Sequence, residues 1–245
     1  MSPLSSAAIG SSRPKAFVLP GDTIIPHVAS GGGTFFTYFY AMNITSQTAH
    51  VAIRFYDDNG NSMQLALTDE AGNPTGASSG IEGDIGPRGI SFGFTTSANL
   101  KTGWATVTAT PALSIAVNTT ITQVVPNRPQ FRAAIPVSNV NQSRFSLPFL
   151  DSFGETTSLA LVNPQNFSQR VFLTAHDTNG NPTCRNTLDL SAGQHRAFIL
   201  SDALPCTQGQ VGQVDVQADS GIPAVGFIFD DSGAFFTVQP FGPLQ

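Results

Sequence analysis

A serine framed by glycines is the first residue in this chain whose setting could do chemistry. Gly89-Ile90-Ser91-Phe92-Gly93 fits the G-x-S-x-G elbow of hydrolases. That elbow works because a sharp strand-to-helix turn exposes the serine oxygen. No helical pattern follows Ser91. Phe92 and Phe94 alternate with Ser91 and Gly93 as in a half-buried strand. The stretch Asp57-Asp58-Asn59-Gly60-Asn61 invites a calcium reading, but an EF-hand loop has its glycine at position six and a glutamate at twelve, and here glycine is fourth. Asn-Gly between two β runs is a strong hairpin signal, because both residues tolerate positive φ. A hairpin turn is predicted, and likewise at Asp230-Asp231-Ser232-Gly233.

The remaining candidates are weaker. His27, His50, His176 and His195 share no ligand spacing, and no C-x-x-C or Cys/His metal pattern is present. No metal and no cofactor are expected. Asp69-Glu70 and Glu82/Asp84 lie in a glycine-rich stretch, a poor frame for two carboxylates in acid–base work. Trp104 follows Gly103 on a strand and suits a core or an interface better than a sugar platform. The candidates do not converge on a catalytic constellation, and an enzyme is not expected.

The elements that would position these residues are organised by a repeat. Val51–Asn61 and Val171–Asn181 share Val51/Val171, Asp57/Asp177, Asn59/Asn179, Gly60/Gly180 and Asn61/Asn181 at a constant offset (177 − 57 = 120), as does Asn43/Asn163 upstream. Runs of Thr, Val, Ile and Phe alternate with small polar residues and are punctuated by Gly, Pro, Asn and Asp, which predicts strands throughout. A single short helical turn is expected near Ser201–Leu204. The fold class is therefore all-β: two tandem antiparallel β-sandwich domains related by internal duplication, over 16–125 and 126–245. Residues 1–15 form a flexible or partner-docked tail. Residues 126–144, stiffened by Pro126, Pro129 and Pro136, form a docked, extended connection.

The repeat also sorts inward from outward positions. Side chains alternate across a strand, and Phe39 and Ala41 align with Leu159 and Leu161, so these face inward. Tyr38 and Tyr40 align with Ser158 and Ala160 and face outward. Val51, Ile53 and Phe55 face inward with Val171, Leu173 and Ala175, leaving Tyr56 and His176 outside. Tyr38, Tyr40 and Tyr56, the three tyrosines of the chain, are thus predicted on one exposed face, with Trp104 as a further aromatic candidate for binding protein or glycan. The glycine-rich stretch Thr68–Gly89, matched in the second half only by the short Ser191-Ala192-Gly193 turn, is a loop candidate for recognition through Asn73, Glu82, Asp84 and Arg88.

Bulk properties narrow the class. Charged residues make up 11% of the chain, against roughly 25% in typical domains, so the surface is neutral and hydrogen-bonding. The net charge is −5 and the basic residues are scattered, which excludes a phosphate-neutralising nucleic-acid face. No apolar run is long enough to span a membrane. Residues 1–16 lack the apolar core of a signal peptide, so an export signal would already have been removed. Cys184 and Cys206, the two cysteines, are placed to form a disulfide if the compartment is oxidising.

Asn43 with Asp57–Asn61, Asn163 with Asp177–Asn181, and the later Gly193–Phe198 strand together resemble uncharacterised tandem β-sandwich repeats of predicted secreted bacterial proteins. The resemblance covers about residues 16–245. It implies an extracellular, non-enzymatic module and transfers no catalytic residue; the long glycine-rich insertion and the tyrosine-rich strand depart from it. The expectation is an extracellular or cell-surface structural protein, a fibre, sheath or adhesion subunit. Its partner would be a second copy or another surface protein. The alternative is a carbohydrate-binding module taking polysaccharide on its Tyr and Trp rings.

Overall fold

The computed structural model describes residues 22–139 and 142–238; the expected tail over 1–15 lies outside the described residues. The described chain is almost entirely antiparallel β-structure. In the first half, β1 (Thr23–Ser30), β3 (Ala49–Asp57), β6 (Gly80–Ile85), β8 (Lys101–Thr110) and β11 (Ser138–Asn139) form sheet I, in the order β11-β1-β8-β3-β6. Sheet II is built from β2 (Phe35–Asn43), β4 (Leu65–Thr68), β5 (Pro74–Ser78), β7 (Ile90–Thr95), β9 (Ile115–Gln123) and β10 (Phe131–Ile135), in the order β10-β9-β2-β7-β4-β5.

In the second half, β12 (Arg144–Leu150), β14 (Gln169–His176), β15 (Pro182–Leu190) and β17 (Val211–Ala218) form sheet III, ordered β12-β17-β14-β15. Sheet IV comprises β13 (Glu155–Val162), β16 (His195–Ile199), β18 (Ala224–Asp230) and β19 (Phe235–Val238), ordered β16-β13-β18-β19. One helical turn, α1 (Leu200–Ala203), falls where the sequence predicts it.

Without β4, β5 and β11, the two halves share one strand order. Sheet I then reads β1-β8-β3-β6 against β12-β17-β14-β15, and sheet II reads β10-β9-β2-β7 against β19-β18-β13-β16. The same side chains hold both halves. Asn43 Nδ2 donates to the carbonyls of Gln47, Ile85 and Gly86; Asn163 Nδ2 donates to those of Phe167, Leu190 and Ser191. A buried amide without such partners would cost about 1–3 kcal/mol, so each asparagine fixes where a strand leaves its sheet. Thr37 Oγ1 bridges the backbone N–H and C=O of Ala29, and Thr157 Oγ1 does the same for Leu150.

The inward positions are as predicted: Phe39, Ala41, Val51, Ile53 and Phe55 are buried in the first core, and Leu159, Leu161, Val171, Leu173 and Ala175 in the second. The part of the 126–144 connection over 131–139 is docked as strands. β10 pairs with β9, and β11 pairs with β1, so it adds strands to both sheets of the first half.

The halves also pack on each other. Ala160, Val225 and Phe227, on the outer face of sheet IV, and Phe235 of β19 are continuous with the first half's core. A smaller cluster joins Ile24, Tyr56 and Trp104 of sheet I to Val162. Among the described residues no helix is long and apolar enough to cross a membrane.

Candidate functional site

The aromatic surface predicted from the repeat divides between two sheets. Tyr38 and Tyr40 lie on the outer face of sheet II, half-buried. They interleave with Phe92 and Phe94 of β7 in a ladder. Ring centroids are 4.9 Å apart for Phe94–Tyr38, 5.8 Å for Tyr38–Phe92 and 5.0 Å for Phe92–Tyr40, with interplanar angles of 18°, 14° and 28°. Rings this close and this parallel overlap face to face in offset stacks. Each ring leans on its cross-strand neighbour, and all four are half-buried. The Arg132 guanidinium sits 5.4 Å from the Tyr38 ring centroid.

Tyr56 is a correction, while Trp104 takes the core-or-interface place the sequence favoured and not the binding role also considered for it. Tyr56 points out of the first sandwich, as the alternation predicts, but on sheet I, not with Tyr38 and Tyr40. Both residues are buried, at 6% and 0% exposure. They pair across β3 and β8 with rings 4.8 Å apart, and the second half covers them. Trp104 Nε1 donates to the Gly193 carbonyl at 3.1 Å. Neither ring is available to a ligand; both hold the halves together.

The glycine-rich loop is a second correction. Thr68–Gly89 is not structureless: it contains β5 and β6, with β4 and β5 forming a hairpin. Glu82 accepts from Arg54 Nη2 at 3.1 Å, and Asp84 pairs with His50 at 2.8 Å, both across the β3–β6 ladder. Asn73 closes the hairpin turn: its backbone N–H donates to Asp69 Oδ1 at 2.8 Å and its Nδ2 to Oδ2 at 3.3 Å. Arg88 Nη1 donates to the Ile44 carbonyl. All four stabilise local structure.

Asp69–Asn73 is in fact a third copy of the turn at Asp57–Asn61 and Asp177–Asn181. In each, the leading aspartate accepts two backbone N–H groups and the final asparagine's Nδ2. These donors hold the Asp69 and Asp177 carboxyls below the usual carboxylate range. Asp-x-x-Gly-Asn was visible in the sequence and would have found it. The turn type also differs from expectation. Gly60 N–H bonds the Asp57 carbonyl, and among these turn residues the glycine takes positive φ (+77°), with Asn59 outside that region. Three-residue hairpin loops of this kind need one left-handed residue.

Ser91 is 1% exposed and pairs with Ala41 on the inward side of β7. It is a core residue on a strand. Cys184 and Cys206 form a disulfide joining β15 to the turn at Pro205–Thr207.

The densest chemistry lies where the halves meet, and the sequence did not assemble it. Asp58, at the tip of the first turn, accepts from His195 Nδ1 at 2.7 Å. His195 Nε2 lies 3.0 Å from His27 Nδ1. The Asp58 carboxylate thereby selects the Nδ1–H tautomer of His195. With a neutral His195, Nε2 accepts the His27 Nδ1 proton, and His27 Nε2 is left as an acceptor. Burial, and next the neighbouring His195, push the His27 pKa well below that of a free imidazole, so His27 is neutral.

His27 also lines a cavity of about 420 Å³ between the halves, walled by Phe35, Phe227, Phe229 and Phe235 and flanked by Leu100 and Ile199. Residues 27, 58 and 195 are too far apart in sequence for spacing to join them. The one signal was Asp58 itself, which Thr178 replaces in the second copy.

The Asp58–His195–His27 chain orients imidazoles as a catalytic triad does, but among the described residues no serine or cysteine hydrogen-bonds His27. No protein-family model matches the chain, and a comparison with curated proteins finds no match.

Proposed function

We propose that the protein is a non-enzymatic, exported structural subunit that assembles at the cell surface through protein–protein contacts, the outer face of sheet II meeting a second copy. The observation that carries this reading is the Phe94–Tyr38–Phe92–Tyr40 ladder. Its counterpart on sheet IV, with Ser158 and Ala160 in place of the tyrosines, lies against the first half. Among the described residues nothing covers the ladder in the same way, and large ordered aromatic stripes on a sheet face suit a partner surface. The low charge and the disulfide fit an oxidising, extracellular setting. The resemblance to secreted tandem sandwiches, and a common origin of the halves by duplication, belong to the same proposal.

The polysaccharide alternative loses support from the same geometry. A sugar platform needs an open ring face, and stacking takes up ring face on both tyrosines, with Phe92 and Phe94 on Tyr38 and Phe92 on Tyr40.

Tyr38→Ser with Tyr40→Ala copies the second half's small residues into the ladder. Light scattering and electron microscopy of concentrated protein should show assembly in the native chain and its loss in the double variant, with stability changed little. A native chain that stays monomeric and unassembled would defeat the proposal.

A further inference from the structure

We infer that the cavity between the halves binds an apolar alcohol or phenol, its hydroxyl donating to His27 Nε2. The site goes beyond the assembly role and shares no residue with the ladder.

The walls set the body of the ligand. Phe35, Phe227, Phe229 and Phe235 supply aromatic surface, and Leu100 and Ile199, exposed by 57% and 44%, flank an open mouth. The volume of about 420 Å³ falls within the range of about 300–1,000 Å³ typical of small-molecule sites.

The polar end is set by His27. Its side chain is nine-tenths buried, and Phe227 packs edge-on against its ring at 5.2 Å. With Nδ1 committed to His195, Nε2 is the ring nitrogen left for the cavity. With Asp58 holding a neutral His195 in its Nδ1–H form, His27 donates from Nδ1 and its Nε2 carries a lone pair and no proton. A carboxylate would meet an acceptor there, and no lysine or arginine is among the described residues that line the walls, whose other polar side chains are the hydroxyls of Thr102, Thr156 and Ser158. A pure hydrocarbon would leave the nitrogen dry. An O–H group satisfies it, and the apolar walls take the rest.

The test titrates the full chain with 2-naphthol and with 2-methylnaphthalene, which has nearly the same shape and no donor. Naphthol should bind about tenfold tighter, the share of one buried hydrogen bond. His27→Phe should abolish that preference while hydrocarbon binding persists. Ala197→Trp, a larger ring at the cavity wall, should remove both ligands. Because His27→Phe also deprives His195 of a partner and could unfold the site, the native protein provides a second readout. The ¹⁵N resonance of His27 Nε2 should shift on adding naphthol and stay put with methylnaphthalene. Absence of binding by the native chain, equal affinity for the two probes, a preference that survives His27→Phe, or an unmoved resonance would each overturn the inference.

Discussion

The turn at Asp57–Asn61 and the turn at Asp177–Asn181 are built alike and used differently. Both close with the same aspartate-centred bonds, and both place glycine at positive φ, +77° at Gly60 and +83° at Gly180. The second turn has open space around its glycine. The first is pressed against the second half, so that a Cβ on Gly60 would meet the Gly193 carbonyl oxygen at 2.7 Å. The neighbouring positions follow suit. Tyr56 pairs with Trp104 where His176 pairs with Gln213, and Ile24 occupies the place of Ser146. In the second half Ser146 and Gln213 instead bond Asp215. The same scaffold therefore presents an apolar outer face once, for docking, and a polar one once, for solvent. Local hydrogen bonds make the turn; contact with the other half decides what its flanks must be.

The largest contrast is expected between Trp104→Ala and Gln213→Ala. The first empties a fully buried site and removes a hydrogen bond, at about 3–5 kcal/mol. The second, on the polar face, should stay within about 0.5 kcal/mol. Equal losses in urea denaturation would show that Trp104 does not join the halves. Next, removing the disulfide that only the second half possesses, by Cys184→Ala with Cys206→Ala, should cost about 3 kcal/mol. The loss should be read in the unfolding of that half; an unchanged midpoint would refute it.

Gly60→Ala and Gly180→Ala come third. Each pays about 1–2 kcal/mol for a left-handed alanine, and only Gly60→Ala adds the clash with Gly193. The difference between the two, not either alone, measures the docking. The smallest effect is pH dependence. His27 is neutral when folded and its pKa is lowered, so the unfolded chain binds the proton first. Stability at the interface is then fully present above about pH 6.5 and falls as pH drops below it, by up to about 1.4 kcal/mol per unit until the folded pKa is reached. His27→Gln should flatten that slope; a slope unchanged in the variant would assign the effect to other groups.

Sheets II and IV give the same lesson. At one register the first half has Tyr38 and Tyr40, the second Ser158 and Ala160. The large rings stand half-buried on the outer face of sheet II, and the small residues stand against the first half. Alternation along β2 and β13 predicted which side chains leave the core. It cannot say whether the space beyond them is water or another sheet, and for that reason the outward Tyr56 is expected at the surface but lies buried against the other half. The structure of Thr68–Gly89 was hidden for a different reason. Its strands carry Gly, Ser and charged residues, and Glu82 and Asp84 are held there by Arg54 and His50 on a strand about 30 residues away. Local propensity does not report such pairing.

What the sequence determined by itself is the β-class, the inward faces, the Asp-x-x-Gly-Asn turns and the pairing of one half's positions with the other's. These rest on interactions within a few residues, or on a period of two that water and core impose along a single strand. Everything that depends on a second surface came from packing. Gly103 and Gly212 both let a neighbouring strand's carbonyl approach closely, yet they stand 109 apart, not 120, because β4 to β7 outgrow their counterpart. Burial of Trp104, the junction of Asp58, His195 and His27, and the cavity beside them arise where two sandwiches meet. Their partners are brought together by packing, over separations that no local pattern encodes.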